Sequence, residues 1–180
     1  MLTWVVARAA GFTAYELLGA SVALGLALGL RWRSPRWPRF ATTDLHRFVI
    51  LLTLVLLGLH ILAIALDSYT HFRLVEILVP LASSYRPLWM GLGVVAAWLA
   101  AAVWVSTLLQ RLIGYRTWRA LHYATFAIWA AATLHGLGAG SDRGAPWALL
   151  LYAANVVVVG GLTVARVAAA AGNPVAASQR

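Results

Sequence analysis

The chain has no cysteine and no lysine, and it carries little charge of any kind. Without cysteine there are no disulfides, thiolate-bound metals, cysteine-held iron–sulfur clusters or covalently attached c-type haems. Any bound metal must rely on histidine, carboxylate, methionine or backbone groups. Charged residues make up 11% of the 180 positions, against about a quarter in ordinary soluble domains. No glycine-rich dinucleotide fingerprint follows a strand pattern. No Ser/His/Asp nucleophile set and no paired carboxylates of a hydrolase stand out.

What is present is apolar. Hydrophobic residues make up 62% of the chain and the mean hydropathy is +0.82. Such a composition belongs to an integral membrane protein, read here as one compact unit over residues 1–172 with a short polar tail at 173–180. Unpaired backbone groups are not tolerated in hydrocarbon, so the apolar runs must be helices and the fold class all-α. Five runs stand out, over residues 10–30, 46–66, 88–110, 119–138 and 147–170, each near the ~20 residues that cross a bilayer. The first reads as a retained helix rather than a signal peptide, because it continues to Leu30 and meets a basic loop. Ser21, Gly25 and Gly29 give it a small-residue face for close helix packing.

A net charge of +9 suggests nucleic acid, but all 14 basic residues are arginines gathered between apolar runs. The plainer reading is loop charge that sets topology, with no nucleic-acid partner. Arg31, Arg33, Arg36, Arg39 and Arg47 fill one loop, and Arg111, Arg116 and Arg119 another. The positive-inside rule puts these loops and the C-terminus in the cytoplasm and the N-terminus outside. That implies a multi-pass protein of the plasma (inner) membrane. Trp32, Trp37, Trp89, Trp118 and Trp147 lie near segment ends, as interfacial aromatics do.

Four of the five histidines fall in apolar segments: His46 and His60 in the second, His122 and His135 in the fourth. Spacings of 14 and 13 residues correspond to about 21 and 20 Å along a helix axis. Both segments run inside to outside, so His46 lies level with His122, and His60 with His135. Imidazoles facing each other at two depths suit two stacked haems, each ligated on both faces. Neutral imidazole is a good iron ligand, and a bundle interior suits an apolar macrocycle. The azimuths do not match so well. Fourteen residues return to within ~40° of the starting direction, whereas 13 end about 140° away. An irregularity near Thr133, Gly136 and Gly138, a tilt, or a lateral offset between haems would each reconcile this.

The stretches "LHRFVILLTLVLLGLHILAI" and "WRALHYATFAIWAAATLHGLGAGSD" resemble the ferric reductase-like transmembrane domain. That superfamily includes NADPH oxidases, ferric reductases and the haem subunit of a periplasmic methionine-sulfoxide reductase system. The resemblance spans roughly residues 10–165 and rests mainly on H-x13-H and H-x12-H. It implies two haem b groups, the inner held by His46/His122 and the outer by His60/His135. It also implies the haem-binding, electron-transfer component of an oxidoreductase. The flavin and NAD(P)H domains of the oxidases do not follow here, so a separate flavoprotein or quinol is the implied redox partner. The acceptor would be ferric iron, oxygen, or a partner's flavin or molybdenum centre. The contrasting reading is a membrane anchor that binds a partner and has no redox role.

Other polar residues have two readings each. Arg47, Arg86, Arg116 and Arg119 either pair with haem propionates or serve topology and headgroups. Glu16, two turns after Arg8, either relays protons or contacts a quinone, or else satisfies a neighbouring helix. His71, in the loop after the second segment, either binds a substrate metal or quinone or is inert.

Overall fold

A computed structural model describes residues 2–30, 38–68 and 71–171. Arg31, Arg33, Arg36, Trp32, Trp37 and the tail at 173–180 lie outside the described residues. All regular structure among the described residues is helical: α1 (Leu2–Gly29), α2 (Arg39–Ala65), α3 (Leu74–Leu78), α4 (Pro87–Leu108), α5 (Gln110–Ile113), α6 (Tyr115–His122), α7 (Ala124–Ala139) and α8 (Pro146–Ala171). Four of these, α1, α2, α4 and α8, are long and apolar enough to cross a bilayer. A multi-pass membrane protein follows from that.

Helix boundaries extend beyond the hydropathy segments. α1 begins at Leu2 and α2 at Arg39, because Thr3, Arg8, Thr42 and Asp44 are polar yet helix-compatible and continue the hydrogen-bonded ladder. Pro87 opens α4 and Pro146 opens α8, where a missing N–H costs nothing and the fixed φ is already helical. Gly114, at φ 78°, separates α5 from α6.

The expected segment at 119–138 is not one uninterrupted helix. It is divided into α6 and α7 at Tyr123. There the Tyr123 N–H lies 3.3 Å from the carbonyls of both Arg119 and Ala120, and the Phe126 N–H donates back to Tyr123 O at 3.2 Å. The contacts to Ala120 O and Tyr123 O reach back three residues, as in a 3₁₀-helix, which winds at about three residues per turn.

α1 is the central helix. Its Ala7, Ala10, Ala14, Leu18, Ser21 and Val22 are buried, recurring at helical spacing and mostly small, so that neighbouring backbones approach closely. α2 lies antiparallel along α1, since His60 meets Ala7 while His46 meets Ser21. α4 lies antiparallel along α7, with Trp89 near His135 and Thr107 near Trp118 at the start of that strand of contacts. α8 runs parallel to α1: Asn155 bonds Glu16, and Arg166 donates to Gly29 O. Leu18, Ala96, Ile128 and Ala131 join α1, α4 and α7 in one apolar core. Seven-residue stripes at Phe48, Val55 and Leu62 on α2, and at Leu150, Val157 and Val164 on α8, are exposed. An exposed stripe of this kind is suited to lipid contact.

α2 packs on α1 and has no extensive packing against α4, α6 or α7 among the described residues. It faces them across an open interior space, and that separation creates the site.

One connection is organised by a carboxylate. Glu76, 6% exposed, accepts hydrogen bonds from the backbone N–H of Arg73 at 2.9 Å and of Ser84 at 3.1 Å. Those two N–H donors, Arg73 first, hold its carboxyl below the usual value of 4.5. A depressed carboxylate stabilises the fold fully above its unfolded value, and this contribution is lost as pH falls through the lower folded value. Replacing Glu76 with Gln is therefore expected to lower the thermal midpoint of the detergent-solubilised protein at pH 6–7. The difference from wild type should shrink steadily below pH about 4.5. A difference independent of pH would remove the carboxylate from this role.

Candidate functional site

The four intramembrane histidines converge on a single cavity of about 1470 Å³, walled mainly by apolar side chains of α1, α2, α4 and α7. Ordinary small-molecule sites run to ~300–1,000 Å³, so this space exceeds what one such ligand fills. His46 and His122 face each other with ring centroids 6.3 Å apart and ring planes inclined by 65°. His60 and His135 line the same cavity. The rings of one expected level pair thus face each other, and those of the other share the cavity.

Three of the four rings are oriented by a backbone carbonyl. His60 Nδ1 lies 2.7 Å from Ala7 O, His135 Nδ1 2.9 Å from Trp89 O, and His46 Nδ1 3.0 Å from Ser21 O. Ser21 Oγ adds a contact to His46 at 3.2 Å. A carbonyl only accepts, so Nδ1 carries the proton and donates. In a neutral ring this leaves Nε2 with the free lone pair. Metal-ligating histidines are commonly held in this way, one ring nitrogen donating to a carbonyl and the other left for the metal. The exception is His122, whose buried Nδ1 has no hydrogen-bond partner among the described residues. Its ring instead stacks against Trp118, with centroids 4.9 Å apart.

Glycines make room for these rings. A Cβ on Gly11 would lie 2.7 Å from His60 Nδ1, and one on Gly93 would lie 2.6 Å from His135 Nδ1. Gly25 sits behind His46, where a Cβ would be 3.7 Å from Cε1. Gly11 and Gly25 are 14 residues apart, as His46 and His60 are. The antiparallel hairpin of α1 and α2 places one glycine behind each imidazole. On α4 the counterpart of Gly93, 13 residues on, is Ser106, and His122 is the ring without a carbonyl.

The azimuthal discrepancy in the fourth segment has a partial structural answer. The irregularity lies at Tyr123, directly after His122, and not near Thr133, Gly136 and Gly138. Each residue wound at three per turn advances about 20° more than in an α-helix. Overwinding between His122 and His135 therefore narrows the ~140° lag.

The remaining expected residues are placed as follows. Arg47 and Arg119 line the cavity beside the His46/His122 pair, together with Arg39. Arg119 also donates to Tyr115 OH at 2.7 Å. Arg86 is engaged elsewhere, donating to Gly138 O at 2.6 Å, and Arg116 is exposed and not part of the cavity wall. Glu16 faces α8 rather than the cavity. Its Oε2 accepts from Asn155 Nδ2 at 3.2 Å, Asn155 Oδ1 accepts from Trp129 Nε1 at 2.8 Å, and Oε1 is buried without a partner among the described residues. Arg8 pairs with Asp142, not Glu16. His71 lines the far end of the cavity in left-handed backbone, at φ 48°. The small-residue face of α1 divides: Ser21 and Gly25 meet His46, and Gly29 meets Arg166.

Sequence reasoning missed the carbonyls of Ala7, Ser21 and Trp89 and the spaces at Gly11 and Gly93. The equal 14-residue spacing of two glycines and two histidines was a readable signal for half of them. The carbonyls carry no side-chain identity and leave no signal.

Among the described residues, no cluster of three or more His, Asp or Glu side chains is gathered for a metal ion. His46 and His122 form a facing pair, and two is the protein ligand count a haem iron needs, since the macrocycle supplies its own nitrogens. Two imidazole nitrogens on one metal at ~2.0–2.1 Å each lie about 4 Å apart, and rings centred 6.3 Å apart admit that separation. The residues present therefore fit a bis-histidine haem at this level. The chain matches no family model, and no curated protein or solved structure is significantly similar to it.

Proposed function

We propose that the protein carries electrons across a membrane on two bis-histidine b-type haems, as a member of the ferric reductase-like type. His46/His122 would hold one haem and His60/His135 the other. The observation that carries the reading is the shared construction of the histidines. Four rings, two on α2 and one each on α6 and α7, line one cavity, and three of them have Nδ1 committed to a carbonyl and Nε2 left over.

A haem, when bound, supplies a one-electron carrier without proton chemistry at the metal. The chain's own residues orient the imidazoles, exclude water through the apolar walls and set the local charge. Held by two histidines each, the haems would be suited to electron transfer rather than oxygen binding at iron. Arg39, Arg47 and Arg119 at the cavity mouth are suited to anionic propionates. A separate flavoprotein or quinol would supply the electron, and an acceptor on the other side would take it.

The arginine distribution supports five membrane passages, counting α6 and α7 as one, with the N-terminus outside and the C-terminus cytoplasmic. A plasma (inner) membrane location agrees with that. The test is optical. The detergent-purified protein should give a dithionite-reduced minus oxidised spectrum of b-type haem, with two haems per chain by pyridine haemochrome assay. A colourless, folded protein would leave the membrane-anchor reading in its place.

A further inference from the structure

The connection from α2 to α4 is built the wrong way round for a loop in water. Glu76 and Ser83 are buried, at 6% and 3% exposure, while Leu74, Leu78, Val79 and Leu81 are 68%, 50%, 47% and 59% exposed. A water-facing loop buries its apolar residues and exposes its polar ones.

Two contacts with α4 fix its depth. Trp98 Nε1 donates to Leu78 O at 2.9 Å. Trp98 follows Pro87, the first residue of α4, by 11 positions, or about 16 Å of helix axis. Even with the indole leaning back toward the N-terminus of α4, Leu78 lies well inside the length of that helix. Leu81 packs on Gly91, where a Cβ would lie 2.9 Å from a Leu81 methyl. The chain thus climbs along α4 from the level of Leu78 to Pro87. The 22 residues of α4 extend about 33 Å, close to the ~30 Å of bilayer hydrocarbon. A point well inside that length is inside the hydrocarbon.

Irregular backbone at such depth needs its polar groups paired within the protein. Side chains do this here. The Glu76 carboxylate accepts the N–H groups of Arg73 and Ser84, the Trp98 indole donates to Leu78 O, and Ser83 Oγ accepts the Tyr85 N–H at 3.2 Å. Arg73, just before α3, keeps its side chain exposed, with a stem able to carry the charge to the headgroups. Trp98, itself on the exposed surface of α4, joins that surface to the connection. On its inner side the connection lines the cavity with Phe72, Glu76, Ile77, Ser84 and Tyr85. It occupies the His60/His135 end, where Trp89 O holds His135, beside the gap that α2 leaves by not packing on α4.

We infer that residues 74–81 form a re-entrant segment seated in the hydrocarbon of one leaflet. Its partner is the acyl chains of the bilayer, and it walls the cavity off from them.

The experiment uses the absence of cysteine from the chain. A nitroxide is attached to L78C and V79C, one per sample, and the proteins are placed in phosphatidylcholine vesicles. Collision rates with dissolved oxygen, which concentrates in hydrocarbon, and with a water-soluble nickel chelate are read by electron paramagnetic resonance. V157C, on an exposed stripe of α8, is the lipid reference. G144C is the aqueous reference, exposed in the α7–α8 connection where a Cβ meets nothing within 4 Å. The oxygen-to-nickel ratio at positions 78 and 79 should match that of V157C and exceed that of G144C. A ratio like that of G144C at either position would place the connection in water and overturn the inference. Circular dichroism checks that each labelled variant is folded, and L74C stands in for one that is not. The measurement does not depend on haem content, so its outcome bears on this inference and not on the two-haem reading.

Discussion

Changing His60 to alanine is expected to reduce haem content from two per chain to one, with the helical circular dichroism signal retained. In the proposed two-haem arrangement His60 would supply one of the protein nitrogens to iron, and its Nδ1 bond to Ala7 O is one of the fixed points between α2 and α1. Removing the ring leaves His135 to hold iron from a single side. The His46/His122 pair lies about 20 Å away along the axis, beyond the ~7–10 Å within which substitutions commonly couple. The remaining haem should therefore keep its spectrum. H135A should lose the same haem, and the H60A/H135A double variant should be no worse than either single one. Loss of different haems from H60A and H135A would break the pairing, and unchanged content in both would remove these residues as ligands.

A second large effect is expected at a residue that touches no cofactor. In Gly93→Ala the new methyl would lie 2.6 Å from His135 Nδ1 and 2.7 Å from Cε1, closer than real contacts allow. The imidazole must move, and its bond to Trp89 O is lost with it. Overpacking of this kind costs about 1–3 kcal/mol in cores. We expect G93A to lose the haem of the His60/His135 level even though both histidines are intact. Gly58→Ala is the matched control, because a Cβ there meets nothing within 4 Å. Relief of glycine's backbone entropy should leave it neutral or more stable by about 0.5–1 kcal/mol. Equal haem content and thermal midpoint in G93A and wild type would show that the glycine is not a space for the ring.

Much of this arrangement can be read from the chain, and the missing parts share one cause. Apolar runs and arginine loops locate the helices, but their ends drift by several residues where Thr3, Arg8 and Thr42 prolong α1 and α2. Gly25 looks like part of a packing face for another helix. In the fold it lies behind an imidazole, while Gly29, one turn on, meets the Arg166 side chain of α8. Arg86 and Glu16 are equally open in sequence, yet one is bound to Gly138 O and the other to Asn155. Each of these assignments depends on which helix lies opposite, and hydropathy carries no information about that.

The sequence by itself determined an all-helical membrane protein and the depth of each histidine. Depth follows from the count of residues at a rise of about 1.5 Å each, which is a local property of a helix. Only the tertiary structure decided the azimuth and the free nitrogen of each ring. Those depend on a break at Tyr123, on a glycine in the facing helix and on a carbonyl with no side chain to announce it. The antiparallel register of α1 on α2 and of α4 on α7 sets them, through contacts between residues 46 and more positions apart.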